Sequence, residues 1–213
     1  MRTFKNMYLI LAAFLFALML RNPVMAAGPD PVEQVKPVIG KITAMLTTEA
    51  YKKQSREEQF RSFLALASER FDFDEMSKRV LGPQWNSLTA EQKNLFKDRF
   101  SQLLGYTYMD KIDTYNGEAI VYGEPRFKGA DRAAVPTSIR FQNGSSVAIS
   151  YIMQLKGSEW TAYDIVAENI SLVRNYTEQL RSVLQKSGFD GLIRQLNEKM
   201  STKIGRASCR ERV

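Results

Sequence analysis

The sequence predicts an α+β fold: amino-terminal helices, a four-stranded meandering antiparallel sheet and carboxy-terminal helices. Three observations predict it. Val147, Ile149, Tyr151, Met153 and Leu155 alternate with Ala148, Ser150, Ile152 and Gln154, the period of two that marks a strand with one strongly apolar face. Lys156-Gly157-Ser158 is a turn signal, and the aromatic and β-branched run from Glu159 to Ala167 completes an antiparallel hairpin. Asn169 and Ser171 then supply helix-start chemistry for a helix carrying Leu172, Val173, Tyr176, Leu180 and Leu184.

In chain order, Arg2 and Lys5 precede an apolar run from Met7 to Leu20, and Val24-Met25-Ala26 offers the small residues that a signal peptidase reads. Residues 1–26 are therefore expected to be a cleaved signal peptide and the chain to be exported. Asp30 and Pro31 suit the start of a helix whose Val35, Val38, Ile39, Ile42, Met45 and Leu46 share a face, with a kink or a later start expected at Pro37. Ser55 and Glu58 form a capping-box pattern before a helix with Phe60, Phe63, Leu64, Ala67 and Phe71 inward. Asp72 and Asp74 alternate, with Glu75 alongside, in a way that invites a metal, but the other ligands of a calcium loop are missing, so Asp74 is expected to cap the next short helix.

Gly82-Pro83 ends that helix, and Thr89 with Gln92 forms a second capping box. The long helix it opens has an expected inward stripe of Leu95, Phe96, Phe100, Leu103, Leu104, Tyr108 and Ile112. Strands are expected over 118–127, 132–142, 146–155 and 159–167, with Asn143-Gly144 the strongest hairpin signal. Gly188 ends one carboxy-terminal segment, and Phe189, Leu192, Ile193 and Leu196 form the apolar face of the last. The final ten residues, IGRASCRERV (204–213), match a sequencing adaptor read through in frame and are expected to be an artefact.

The charge depends on those ends. The formal net charge is +7, but the leader takes Arg2, Lys5 and Arg21 with it and the tail takes Arg206, Arg210, Arg212 and Glu211. The remaining single domain, 27–203, holds 24 basic and 22 acidic residues, a net +2, so the case for a nucleic-acid partner lapses. Cys209 leaves with the tail and the chain has no His, which removes thiolate and imidazole catalysis and the commonest metal ligands. No cofactor or metal is expected.

Leu81-Gly82 with Trp85, Glu91-Gln92, Phe96, Phe100, Leu104 and Tyr108, then Tyr151, Trp160, Tyr163-Asp164, Ile170 to Val173, Asn175-Tyr176 and Gly188 to Leu192 follow one another in an order and spacing that resembles the MlaC family. The resemblance spans essentially all of 27–203. It implies a nuclear-transport-factor-like fold with an apolar cavity between a curved sheet and helices. It also implies a phospholipid carrier of the Mla system in the periplasm of a Gram-negative bacterium, a family also known for toluene tolerance. Its partners would be an outer-membrane lipoprotein complex and an inner-membrane ABC transporter with an MCE-domain subunit, and its role outer-membrane lipid asymmetry. Burying one acyl chain of about 16 carbons is worth roughly 12 kcal/mol at ~0.8 kcal/mol per CH₂, which a dry cavity can match and surface adsorption cannot.

On that reading Leu104, Tyr108, Ile139, Phe141, Val147, Ile149, Tyr151 and Met153 are the expected acyl-chain wall, and Arg140 and Arg174 the candidates for a head-group phosphate. Two alternatives remain open on the residues alone. One is an isomerase or hydrolase on a similar cone-shaped fold, with Asp164 as base and Tyr151 or Tyr163 as hydrogen-bond donor; the other is a structural protein with a filled core.

Overall fold

A computed structural model describes residues 28–210, leaving aside the side chains of Lys111 and of 202–210. The expected signal peptide, and the last three of the ten expected adaptor residues, lie outside the described residues. From Pro31 onward the chain forms one unit. Helix α1 (Pro31–Leu46) buries Val35, Val38, Ile39, Ile42 and Leu46, and it runs through Pro37 rather than starting after it. Pro37 faces solvent, and the buried stripe on either side of it holds the helix together. After the single turn α2 (Glu49–Lys52), Ser55 and Glu58 close the expected capping box and open α3 (Arg56–Ala67).

Helix α4 (Phe73–Leu81) corrects one expectation: its cap is Asp72, which accepts the Glu75 N–H at 2.9 Å, and not Asp74. A 3-10 turn, Gly82–Ser87, leads to α5 (Ala90–Ile112), opened by the Thr89–Gln92 box. Leu95 was expected inward but is 38% exposed, because the stripe through Phe96, Phe100, Leu103 and Leu104 turns one position away from it.

The expected first strand is two: β1 (Ala119–Tyr122) and β2 (Arg126–Phe127). Gly123-Glu124-Pro125 separates them; Gly123 still donates to the Pro136 carbonyl at 2.8 Å, but Pro125 has no N–H to continue a ladder. Strands β3 (Arg132–Arg140), β4 (Ser146–Lys156) and β5 (Glu159–Ala167) fall where expected, and a short β6 (Ile170–Ser171) is added. The antiparallel order is β1-β3-β4-β5-β6, with β2 also on β3. Gly144 (φ 82°) and Gly157 (φ 63°) supply the left-handed backbone that the two hairpin turns need.

The outer edge of β5 is not left open. Ala162 donates to the Arg70 carbonyl at 2.7 Å and accepts from the Asp72 N–H at 2.8 Å, so the segment before α4 covers it. A bulge between β4 and β5 pairs Ile152 with Asp164 and Met153 with Ala162, leaving Tyr163 as the extra residue. Helix α6 (Leu172–Arg210) is two helices joined at Gly188, whose backbone (φ 63°, ψ −169°) is not helical.

Two apolar clusters hold the unit. The first joins α1, Tyr51, Phe71 and Met109 to one face of the sheet through Val135, Tyr151, Met153 and Trp160. The second joins α4, α5 and both halves of α6 through Phe96, Phe100, Leu104, Tyr176, Leu192 and Leu196, and it takes in Tyr163. Phe73 and Ile165 pack against both.

Candidate functional site

One face of the sheet carries six of the eight expected wall residues. Across the β3–β4 ladder Val135 pairs with Tyr151, Ala133 with Met153, Thr137 with Ile149 and Ile139 with Val147, so these side chains share a face. Burial falls along it. At one end Met153 is 0% and Tyr151 7% exposed. Towards the 141–145 turn Ile149, Ile139, Val147 and Phe141 are only half-buried. Ile149 packs against the first cluster, whereas Ile139, Phe141 and Val147 belong to neither. Strand β1 adds Ile120 opposite Ile139 and Tyr122 opposite Thr137. Sequence reasoning missed these two: Ala119 to Tyr122 is apolar throughout, so no period of two marks which face they share.

The Thr137 hydroxyl donates to the Ile149 carbonyl at 3.0 Å within this face. Burial pushes the Tyr151 phenol far above its ordinary range, neighbouring Tyr122 adds to the rise, and a hydrogen bond with Thr137 opposes it. Burial first, and then Tyr115, push Tyr122 up to about 12. Both phenols therefore stay neutral at physiological pH, as donors or acceptors and not as bases.

The half-buried end of the face borders a cleft of about 480 Å³ between the loop before β1 and the β3–β4 turn; Arg140 and Phe141 line it. Arg174, the other expected head-group contact, is elsewhere: its side chain is 81% exposed on α6 and pairs with Glu178 at 3.1 Å. Leu104 and Tyr108 are not on the sheet side of α5 either. Leu104 belongs to the second cluster and Tyr108 packs against it, beside a separate cleft of about 380 Å³ shared with Tyr176, Asn175 and Lys199. The structure thus gathers six expected wall residues on one face, puts Arg140 one step along β3 and so on the other face, beside Phe141 in the cleft, and places Leu104, Tyr108 and Arg174 apart from them.

Asp164 is engaged on both oxygens. Oδ1 accepts the Val173 N–H at 2.9 Å and its neighbour's N–H at Ile165, and Oδ2 accepts the Ser171 hydroxyl at 2.5 Å. Ser171 in turn accepts the Arg174 N–H at 3.0 Å. Together they cap the start of α6, a structural use of the carboxylate. Tyr163 lies under the Arg79 guanidinium, 3.8 Å from its ring centre, in the second cluster. Asp72 is similarly committed: burial works against its charge, but the Lys156 ammonium and the Glu75 N–H outweigh that and hold its carboxyl below the usual range. Asp74 pairs with Lys97 at 3.0 Å and Glu75 with Arg79 at 2.8 Å. Among the described residues no group of three or more carboxylate or thiol side chains could hold a metal ion, and no helix is long and apolar enough to cross a membrane.

The profile of the family described as MlaC protein matches residues 36–198. The intermembrane phospholipid transport system binding protein MlaC of Haemophilus influenzae is 26% identical over 130 residues, 59% of this chain and 61% of that protein. The toluene tolerance protein ttg2D of Pseudomonas putida is 23% identical over 120 residues, 56% of each chain. The matches thus span about three fifths of these curated relatives' length. The phospholipid-binding protein from Ralstonia solanacearum, solved in complex with a phospholipid, superposes with a TM-score of 0.77 at 23% identity, covering 82% of this chain and 99% of that one, so the two share a fold. With three quarters of its length matched by the family profile, the chain belongs to the MlaC family.

Proposed function

We propose that the chain is a periplasmic phospholipid carrier. A single domain, 27–203, follows a cleaved leader and moves lipid between an outer-membrane lipoprotein complex and an inner-membrane ABC transporter with an MCE-domain subunit, maintaining outer-membrane lipid asymmetry. The observation that carries this reading is the burial gradient along the β3–β4 face. Apolar side chains that could be covered by neighbouring helices are instead left half-open from Ile149 to Phe141, next to a cleft lined by Arg140. The membership of the family and the fold shared with a protein solved with a phospholipid support it.

Acyl chains lie along Ile139, Phe141, Val147 and Ile149 and press against Tyr151 and Met153. Buried methionines, Met109 and Met153, give that wall side chains that can repack around a guest. Because a bilayer offers nearly the same apolar shelter, exchange needs no covalent step. The test is transfer of a labelled phospholipid from donor to acceptor vesicles. Transfer that rises in proportion to added protein supports the reading, and transfer at the protein-free rate contradicts it.

A further inference from the structure

The cleft beside the open end of the sheet holds one cation and one anion. Arg140 and Glu118 both line it, with Asn116, Gln142 and Asn143 supplying amides between them and Phe141 the apolar wall. Arg140 faces Ala119 across the β1–β3 ladder, so Glu118 is only one residue along from its direct partner. Yet Arg140 is exposed and takes part in none of the ion pairs among the described residues, Glu118 included.

Glu118 is held by its own loop. Its Oε2 accepts the Asn116 N–H at 2.7 Å, and its backbone carbonyl accepts the Tyr115 hydroxyl at 2.9 Å. Gly117, at φ 88°, supplies the left-handed turn that folds the carboxylate back on that N–H. One carboxylate oxygen is thereby anchored, which leaves Oε1 for a ligand. Across the cleft the Asn143 side-chain oxygen accepts both the Ser145 N–H at 3.0 Å and the Ser145 hydroxyl at 2.7 Å, which leaves its amide N–H groups as donors.

From these positions we infer that the cleft is a subsite for a zwitterionic phospholipid head: Arg140 and the Asn143 amide take the phosphate, and Glu118 takes the ammonium. The inference rests on the carrier reading and deepens it, since Phe141, one of the residues along which the acyl chains lie, also lines the cleft. A head that carries a phosphate but no cation satisfies Arg140 and leaves Glu118 facing like charge. Glu118 is thus a specificity-determining residue, whereas Arg140 serves every phospholipid.

The experiment is uptake from vesicles of equal parts phosphatidylethanolamine and phosphatidylglycerol with matched acyl chains, read by native mass spectrometry. The wild type is expected to take the zwitterionic lipid in about two- to five-fold excess, the range of an exposed charge contact. Raising the salt to about 1 M, where the screening length is near 3 Å, shrinks the excess. Glu118→Gln retains the acceptor for Asn116 and is expected to bring the ratio to about one. Arg140→Gln lowers uptake of both lipids and leaves the ratio as in the wild type. A wild-type ratio of one, with lipid bound, overturns the head-group inference alone, as does an unchanged ratio in Glu118→Gln. A wild type that takes up neither lipid overturns the carrier reading and this inference together.

Discussion

Asp164 on β5 accepts the hydroxyl of Ser171 at 2.5 Å, and this bond fastens the end of the sheet to the start of the carboxy-terminal helix. The residue that the sequence offers as a catalytic base is thereby committed to the backbone: its other oxygen accepts the Val173 N–H at 2.9 Å. Asp164→Ala removes the whole set and is expected to cost about 2 kcal/mol, with Ser171→Ala costing about 1 kcal/mol. Urea unfolding measures both; a loss below about 0.5 kcal/mol for Asp164→Ala contradicts the capping role.

Gly105 lies in mid-helix on α5 with the Phe60 ring of α3 against its Cα; a β-carbon there would overlap the ring. The same Phe60 ring stacks on Tyr106 with centroids 5.0 Å apart, so it cannot easily swing away. Gly105→Ala is expected to destabilise by about 1–3 kcal/mol despite alanine's better helix propensity. On a Phe60→Leu background the same change should cost less, and equal costs on both backgrounds would show that the ring is not the cause.

Tyr51 is 3% exposed, and its hydroxyl has no hydrogen-bond partner among the described residues. Burial, and then the nearby Asp113 carboxylate, push its phenol up to about 12, against the opposing pull of Arg56. An unfolded tyrosine ionises near pH 10, so between about 10 and 12 the unfolded chain loses a proton that the folded chain keeps, and stability falls as pH rises. Below pH 10 this contribution is flat. Tyr51→Phe is expected to be neutral or slightly stabilising at pH 7 and to narrow the drop in melting temperature between pH 8 and 11. Tyr122 and Tyr151 contribute to the same alkaline loss, so the drop narrows without vanishing. An equal drop in both proteins contradicts the assignment.

Within the proposed carrier, Ile149→Trp adds bulk where the sheet face passes from buried to open. It is expected to reduce bound phospholipid several-fold, because Ile149 is half-buried and the added ring would occupy the place of the guest. Lipid loading equal to the wild type, measured by extraction and phosphate assay, would remove Ile149 from the acyl wall.

Much of the fold was legible because local chemistry decides it. Ser55 with Glu58 and Thr89 with Gln92 form the capping boxes their spacing announces, and Asn143-Gly144 turns the chain where a left-handed glycine is needed. What periodicity cannot reveal is which neighbour a face meets. Helix α5 is apolar on two sides: Phe100 and Leu104 serve one cluster and Met109 the other. Reading it as a single stripe put Leu104 and Tyr108 in the acyl-chain wall with the sheet residues, whereas Leu104 belongs to the second cluster and Tyr108 packs against it. The cap at Asp72 was hidden for a similar reason, since Asp74 has the same chemistry and only the tie of Asp72 to Ala162 fixes where α4 starts. In the candidate site, the alternation in β4 gave the apolar face, but the loop that anchors Glu118 depends on Gly117 and Asn116 and has no periodic signature.

The most direct test of phospholipid carriage is native mass spectrometry of residues 27–203, expressed with an export leader and purified from a bacterial periplasm without detergent. The account predicts a stoichiometric added mass that lipid extraction identifies as phospholipid. Protein that arrives without added mass, and that also takes no lipid from vesicles, would contradict it.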